Sequence, residues 1–399
     1  MKFSKFKLLF TFLFCLSSIH FFDPTIISTS FIYYIYLFFF IVSIVFVFTN
    51  SDHYFSNSFS FPVILILIAE LLSSFNATIS WDQDFIESIR AVIPYMVYIL
   101  FFLLISWKYP IIEIEKLIVI IGFSYILVFL ISFYVFPSIY FGNIELIDES
   151  RGFQRLKTSG IGFLFLLCFY SLNQFIIKKK LLWIFVYFIS LSCIFMSLTR
   201  TYIIFTLLFS FIYILNNASL YLKLMSIFLV SIFLYIFVLS NAYNLMAEET
   251  DSQVSYAKED IRMLSVSFYL NNFSPNIASK ILGNGEPGNI KNNPIENSYY
   301  SKFVNNLEKK FGFYISDIGY LGLYVKFGIF SIISYLIFIY LTFKTTIFSK
   351  YLYSKYYLFF IFSISFIIDA PFNTSFISSI VFAYYILFLQ SKQIPPISI

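Results

Sequence analysis

Residues 178–223 read KKKLLWIFVYFISLSCIFMSLTRTYIIFTLLFSFIYILNNASLYLK, and this stretch decides how the chain is organised. As one helix, residues 181–216 would run roughly 54 Å, far beyond a hydrocarbon core of about 30 Å. Lysines close the stretch at both ends, Lys178, Lys179 and Lys180 before it and Lys223 after it. Such residues collect in short cytoplasmic loops, so the segment must go out and return. Arg200, near its middle in Ser197-Leu198-Thr199-Arg200-Thr201, then marks the outer tip of a tight helical hairpin.

The same parity extends in both directions. The chain is 60% hydrophobic and 12% charged over 399 residues, which excludes an ordinary soluble domain. Apolar runs recur at 5–22, 26–49, 61–76, 89–107, 117–137, 159–176, 181–198, 201–216, 220–241, 318–343, 352–369 and 372–390. The fold class expected is an all-α polytopic membrane protein of about twelve transmembrane helices with one long extracytoplasmic loop. Residues 1–241 form the N-terminal bundle of about nine spans, 242–317 the large loop, and 318–399 the C-terminal helices. Lys2, Lys5 and Lys7 put the N-terminus in the cytoplasm. Alternation then places Lys108, Lys116, Lys178–Lys180, Lys223, Lys344, Lys350, Lys355 and Lys392 on that side, so both termini are cytoplasmic.

Met1 to Phe22 has the lysines and apolar core of a signal peptide but no small-x-small cleavage site, and it is read as the first span. Cys15, Cys168 and Cys193 lie inside apolar runs and offer neither a disulfide framework nor zinc spacing. The 57 Phe and 32 Tyr beside 12 Gly fit an AT-rich codon bias, so aromatic stripes read as packing and lipid-facing surface.

Four arginines fall outside the cytoplasm on this count: Arg151, Arg155, Arg200 and Arg262. Guanidinium grips phosphate oxyanions bidentately, so arginines kept on that face point to a phosphate- or pyrophosphate-bearing partner. Arg151-Gly152-Phe153-Gln154-Arg155-Leu156-Lys157 precedes a helix with Gly160 and Gly162 in its first turn, where helix N–H groups favour an anion. The structural alternative is local pairing with Glu145, Asp148 and Glu149. Arg200 must face the bundle or the interface, because an arginine facing lipid costs several kcal/mol. The long loop adds Arg262, Lys258, Asp260 and Glu286, an amphipathic stretch from Val254 to Leu270, and the turn Leu282-Gly283-Asn284-Gly285-Glu286-Pro287-Gly288. Asp317 is either the cap of the next helix or a carboxylate able to take a proton at the outer mouth. Asp82, Asp84 and Glu87 carry a weak divalent-cation signal.

These pieces resemble the O-antigen polymerase and O-antigen ligase superfamily of bacterial envelope proteins. The family's arginine–ten residues–glycine pattern is matched by Arg151 and Gly162, and its Ser-x-(Ser/Thr)-Arg hairpin signature by Ser197-Leu198-Thr199-Arg200. Its Gly-rich turn and following helix start are matched by Gly283-Asn284-Gly285 and Asp317 through Gly328. In the ligases a histidine opens that last pattern. Here Asp317 stands there, and the only histidines are His20 and His53, which favours a polymerase.

The resemblance implies a glycosyltransferase of the bacterial inner membrane that polymerises repeat units of O-antigen or capsule. A glycan on undecaprenyl pyrophosphate would be transferred to a lipid-linked repeat unit. Arg151, Arg155, Lys157 and Gly162 are assigned to substrate binding, and Arg200, Arg262 and Asp317 to catalysis. The pyrophosphate is already a leaving group, so no nucleotide, cofactor or metal is expected, and no nucleic acid. A chain-length regulator protein is the further partner implied. The rival readings are an O-antigen ligase, a lipid-linked oligosaccharide flippase, a metal-dependent glycosyltransferase using Asp82 and Asp84, and a membrane structural protein.

Overall fold

The computed structural model describes residues 5–18, 29–49, 57–135, 145–148, 155–157, 160–197, 199–224, 261–288, 298–368 and 373–393, with positions 227, 231, 235 and 239. Arg151, Lys258, Asp260, His20, His53 and most of the 220–241 run lie outside the described residues.

Helices occupy the apolar runs on both sides of the long loop. They are α1 (Lys5–Ser18), α2 (Thr29–Thr49), α3 (Ser60–Trp81), α4 (Phe85–Val92), α5 (Leu100–Ser106), α6 (Ile111–Val135), α7 (Ile161–Lys178), α8 (Leu181–Met196) and α9 (Arg200–Asn217). Within the loop lie α10 (Ile261–Phe268), α11 (Ile277–Leu282) and α12 (Tyr299–Phe311). After it come α13 (Tyr320–Lys344), α14 (Leu352–Ile364) and α15 (Thr374–Gln393).

Among the described residues, α3, α6, α7, α13 and α15 are each long and apolar enough to cross a bilayer. A sixth candidate is the pair Phe85–Val92 and Met96–Ser106, bent by 61°. Hydropathy predicts more crossings because it marks every apolar run. Yet α1 has 14 residues and α8 has 16, short of the roughly 20 that a straight span needs. Among the described residues the strands form one antiparallel ribbon, β1 (Glu145–Asp148) with β2 (Arg155–Lys157).

The core runs through most helices, with α7 and α15 the most deeply enclosed. Buried tyrosines tie the elements together. Tyr385 donates to the carbonyls of Leu104 and Tyr109 at 3.1 and 3.0 Å, and Tyr384 donates to Phe59. A hydroxyl buried against apolar side chains needs such a partner, and a carbonyl at a helix end supplies one.

The lysine-bearing loops gather at one end. Lys7 Nζ lies 5.6 Å from the Trp107 ring centre, beside Lys108. Asn173 of α7 donates to the Lys350 carbonyl at 2.6 Å, and the Phe348 N–H approaches Gln390 of α15 at 3.5 Å, near Lys392. The opposite end holds the close of α3, the start of α13 and the long-loop elements. There an aromatic cluster stacks Trp81 on Tyr300 with ring centres 4.7 Å apart, flanked by Phe273 and Phe303. In the amphipathic stretch Ser265, Tyr269 and Phe273 recur every four residues and are all buried, so the register that packs it is helical.

Candidate functional site at the loop end of the bundle

The site starts from a fault in α13. Gly328 has φ 73° and ψ −167°, a conformation essentially confined to glycine, and the helix breaks there. A break leaves carbonyls of the preceding turn without helical donors. The glycine-rich turn of the long loop supplies them. Asn284 N–H and Gly285 N–H donate to the carbonyls of Val325 and Lys326 at 2.9 and 2.8 Å, and Asn284 Nδ2 adds a second bond to Val325 at 2.9 Å. The fit is reciprocal: a Cβ on Gly283 would lie 2.6 Å from Gly328 N, and one on Gly328 would lie 2.6 Å from Gly283 N. Helix α3 closes the other side. Asn76 donates to the Gly283 carbonyl at 2.6 Å, and Trp81 Nε1 donates to Asn284 Oδ1 at 2.9 Å. Irregular backbone inside a membrane bundle is tolerated only where protein satisfies it, and here it is satisfied from both helices.

This clamp brings charges together. Lys326, 8% exposed, sits nearly two turns into α13 with Nζ 3.0 Å from Glu286 Oε2 and 5.7 Å from the Tyr95 ring centre. Glu308 of α12 and Asp317 complete the group. Glu308 is half-buried, and its carboxyl is held above the usual 4.5 by burial first. The charge of Lys326 opposes that rise, while those of Glu286 and Asp317 add to it. Burial likewise raises the Tyr269 and Tyr300 hydroxyls, which bond the carbonyls of Phe313 and Gly285.

Asp317 does not cap α13. It lies half-buried in a 3-10 turn, Ile315–Ile318, while the cap position is Gly319, at φ 56°, with no side-chain bond to the helix. Gly319 presses against the carbonyls of Ser365 and Phe366 just beyond α14, leaving no room for a larger cap. Arg262 is exposed on α10, which packs on the 3-10 turn.

A second group of predicted residues meets at the start of α15. The break predicted at Arg200 is present: α8 ends at Met196 and α9 begins at Arg200 itself. Tyr202, two positions on, has its ring centre 6.0 Å from that of Phe376. Gly162 lies against the same residue; a Cβ there would stand 2.9 Å from Phe376 Cα and 2.8 Å from the Ser375 carbonyl. Gly162 is therefore a packing glycine that lets α7 lie on the backbone of α15. Helix α14 and the turn after it border both groups, Phe360 of the helix against Phe165 and Phe366 of the turn against Tyr320. Arg155 and Lys157 are on β2, with Lys157 in register with Glu145 and Arg155 with Asp148.

Asp82 and Asp84 have structural duties. Asp82 ends α3 in a left-handed conformation, and Asp84 caps α4, Oδ2 accepting from the N–H groups of Ile86 and Glu87 at 3.1 and 3.3 Å. No group of three or more His, Cys, Asp or Glu side chains able to hold a metal occurs among the described residues. Sequence reasoning passed over Lys326, Glu308 and Arg90. A lysine inside an apolar run was the available signal for the first. Arg90, exposed on α4 beside Glu87, was hidden at the edge of an apolar run.

No family model, curated protein or solved structure matches this chain. The chemistry must be argued from the arrangement itself. One end of the bundle offers arginines, a buried lysine and three carboxylates on a rigid backbone. That set can bind an anionic group and move a proton.

Proposed function

We propose that the chain polymerises surface-polysaccharide repeat units, transferring a growing glycan from undecaprenyl pyrophosphate to a lipid-linked repeat unit on the outer face of the bacterial inner membrane. The observation that carries the reading is that Gly162 and Tyr202, two positions after Arg200, both lie against Phe376 at the start of α15. In this reading the bundle has about twelve spans, the lysine end and both termini are cytoplasmic, and the loop end is outside.

The acceptor hydroxyl attacks the anomeric carbon of the donor glycan, and the bond to the lipid pyrophosphate breaks. Negative charge grows on the leaving pyrophosphate, and fixed cations stabilise it best where water is scarce. Arg151, Arg155, Lys157 and Arg200 serve that group, and Arg262 captures substrate from the long loop. The base is expected among the carboxylates that gather at the outer mouth, where Asp317 is the candidate from the sequence and Glu286 and Glu308 lie with it. The α10 segment acts as a lid over the lipid-linked sugars, and a chain-length regulator docks alongside.

The test is a gel of surface glycans from the native strain, a deletion strain, and the deletion complemented with wild type, Arg151→Ala or Arg200→Ala. A collapse to a single repeat unit in the deletion and in both arginine variants is expected. An unchanged ladder in the deletion would sink the reading. Long lipid-linked chains that never reach a final acceptor would replace it with a ligase.

A further inference from the structure

We propose that Glu286 is the general base of this transfer, and that Lys326 is the positioning residue that holds it. The identity of the reaction rests on the polymerase reading; the choice of residue rests on the clamp.

A general base has to be fixed, charged and open on one side. Glu286 is fixed because the backbone around it is bonded on every side. Gly285 N–H reaches the Lys326 carbonyl, the Gly285 carbonyl accepts from Tyr300 at 3.0 Å, and the Glu286 carbonyl accepts from Gln83 Nε2 at 3.2 Å. Gln83 Oε1 then accepts from Gly288 N–H at 3.0 Å, so one side chain holds both ends of the Glu286-Pro287-Gly288 turn. Lys326 supplies the counter-charge beside the carboxylate, with its Nζ 3.0 Å from Oε2. It is open because the side chain remains 20% exposed although Oε2 is buried, so the accessible part is not the oxygen that faces the lysine.

Asp317 meets these conditions less well. It has no ion-pair partner among the described residues. A lysine buried nearly two turns into a membrane helix also needs a reason to be there, and holding a base at the mouth supplies one.

In the step assigned, Glu286 takes the proton of the acceptor hydroxyl as that oxygen bonds to the donor's anomeric carbon. The electron pair of the breaking carbon–oxygen bond leaves with the lipid pyrophosphate. Among the described residues, the titratable groups facing the pair are Tyr95, Tyr269, Tyr300 and Glu308 of α12, and Glu87, which touches Gly288.

The test uses the full chain in proteoliposomes with single repeat units on their lipid carrier, extracted from a strain lacking the gene. Glu286→Gln is expected to lower kcat by about 100-fold or more, with KM within about threefold of wild type. Lys326→Met removes the cation that holds the carboxylate and is expected to lower kcat with KM little changed, while Lys326→Arg, which keeps the ion pair, should restore it. The double variant Glu286→Gln with Lys326→Met restores neutrality at the clamp. It should stay slow if Glu286 is the base. Recovery of wild-type kcat in the double variant, or an unaffected Glu286→Gln, would overturn the assignment alone. Wild type that joins no units would overturn the polymerase reading and this assignment with it.

Discussion

Gly283 and Gly328 each occupy the space that a side chain on the other would need. Both have positive φ, 88° and 73°. Gly328→Ala should therefore lose at least about 1–2 kcal/mol from the backbone alone, before any displacement of the loop. A fall in the thermal-unfolding midpoint of the detergent-solubilised protein would show it. An unchanged midpoint would mean that the turn is not docked in the helix. Glu308 gives a second prediction at this scale. Its proton affinity is raised in the fold, so its contribution to stability is fully present below about 4.5 and is lost as pH rises through the folded value. Glu308→Gln should be more stable than wild type at pH 7, with the gap closing as pH falls toward 4.5. Equal stability at both pH values would contradict it. The turn at Gly283–Gly285 was legible as a turn, and the stretch from Asp317 to Gly328 as special. That the two interlock was not, because hydropathy treats residues 318–343 as one uniform run and carries no signal of a φ reversal at Gly328. Lys326 was lost for the same reason.

At the scale of elements, charge parity located the helix break before Arg200, where α9 begins. Lysines on both sides of an over-long apolar run leave no other solution. The ribbon of β1 and β2 was not foreseen: its strands have four and three residues, too short for an alternation to stand out from composition. The bend between α4 and α5 was likewise invisible, and Asp84 was read for a cation and not as the cap of α4. Asp84→Asn should leave glycan polymerisation unchanged, because asparagine caps as well as aspartate. Loss of the ladder in that variant, matched by loss with a chelator, would restore a metal-dependent reading.

For the whole molecule, the sequence divides the chain into a lysine face and an arginine face, and the contacts among Lys7, Trp107, Lys350, Asn173 and Gln390 bring the first together at one end. The number of crossings was less legible, because apolar runs can be shorter than a span or bend within it. Cysteines at exposed positions test the sidedness. Asn306→Cys on α12 should react with a membrane-impermeant maleimide in intact spheroplasts, and Lys179→Cys only after lysis. Equal labelling of both in intact cells would break the topology, and the pyrophosphate site would lose its place. The native Cys15, Cys168 and Cys193 are buried and should stay silent.

The central claim is tested most directly by purified protein in liposomes supplied only with lipid-linked single repeat units. The account predicts a ladder of lengthening glycans, with free undecaprenyl pyrophosphate released once per added unit and no nucleotide consumed. Repeat units that remain single, or that cross the bilayer without being joined, would contradict it.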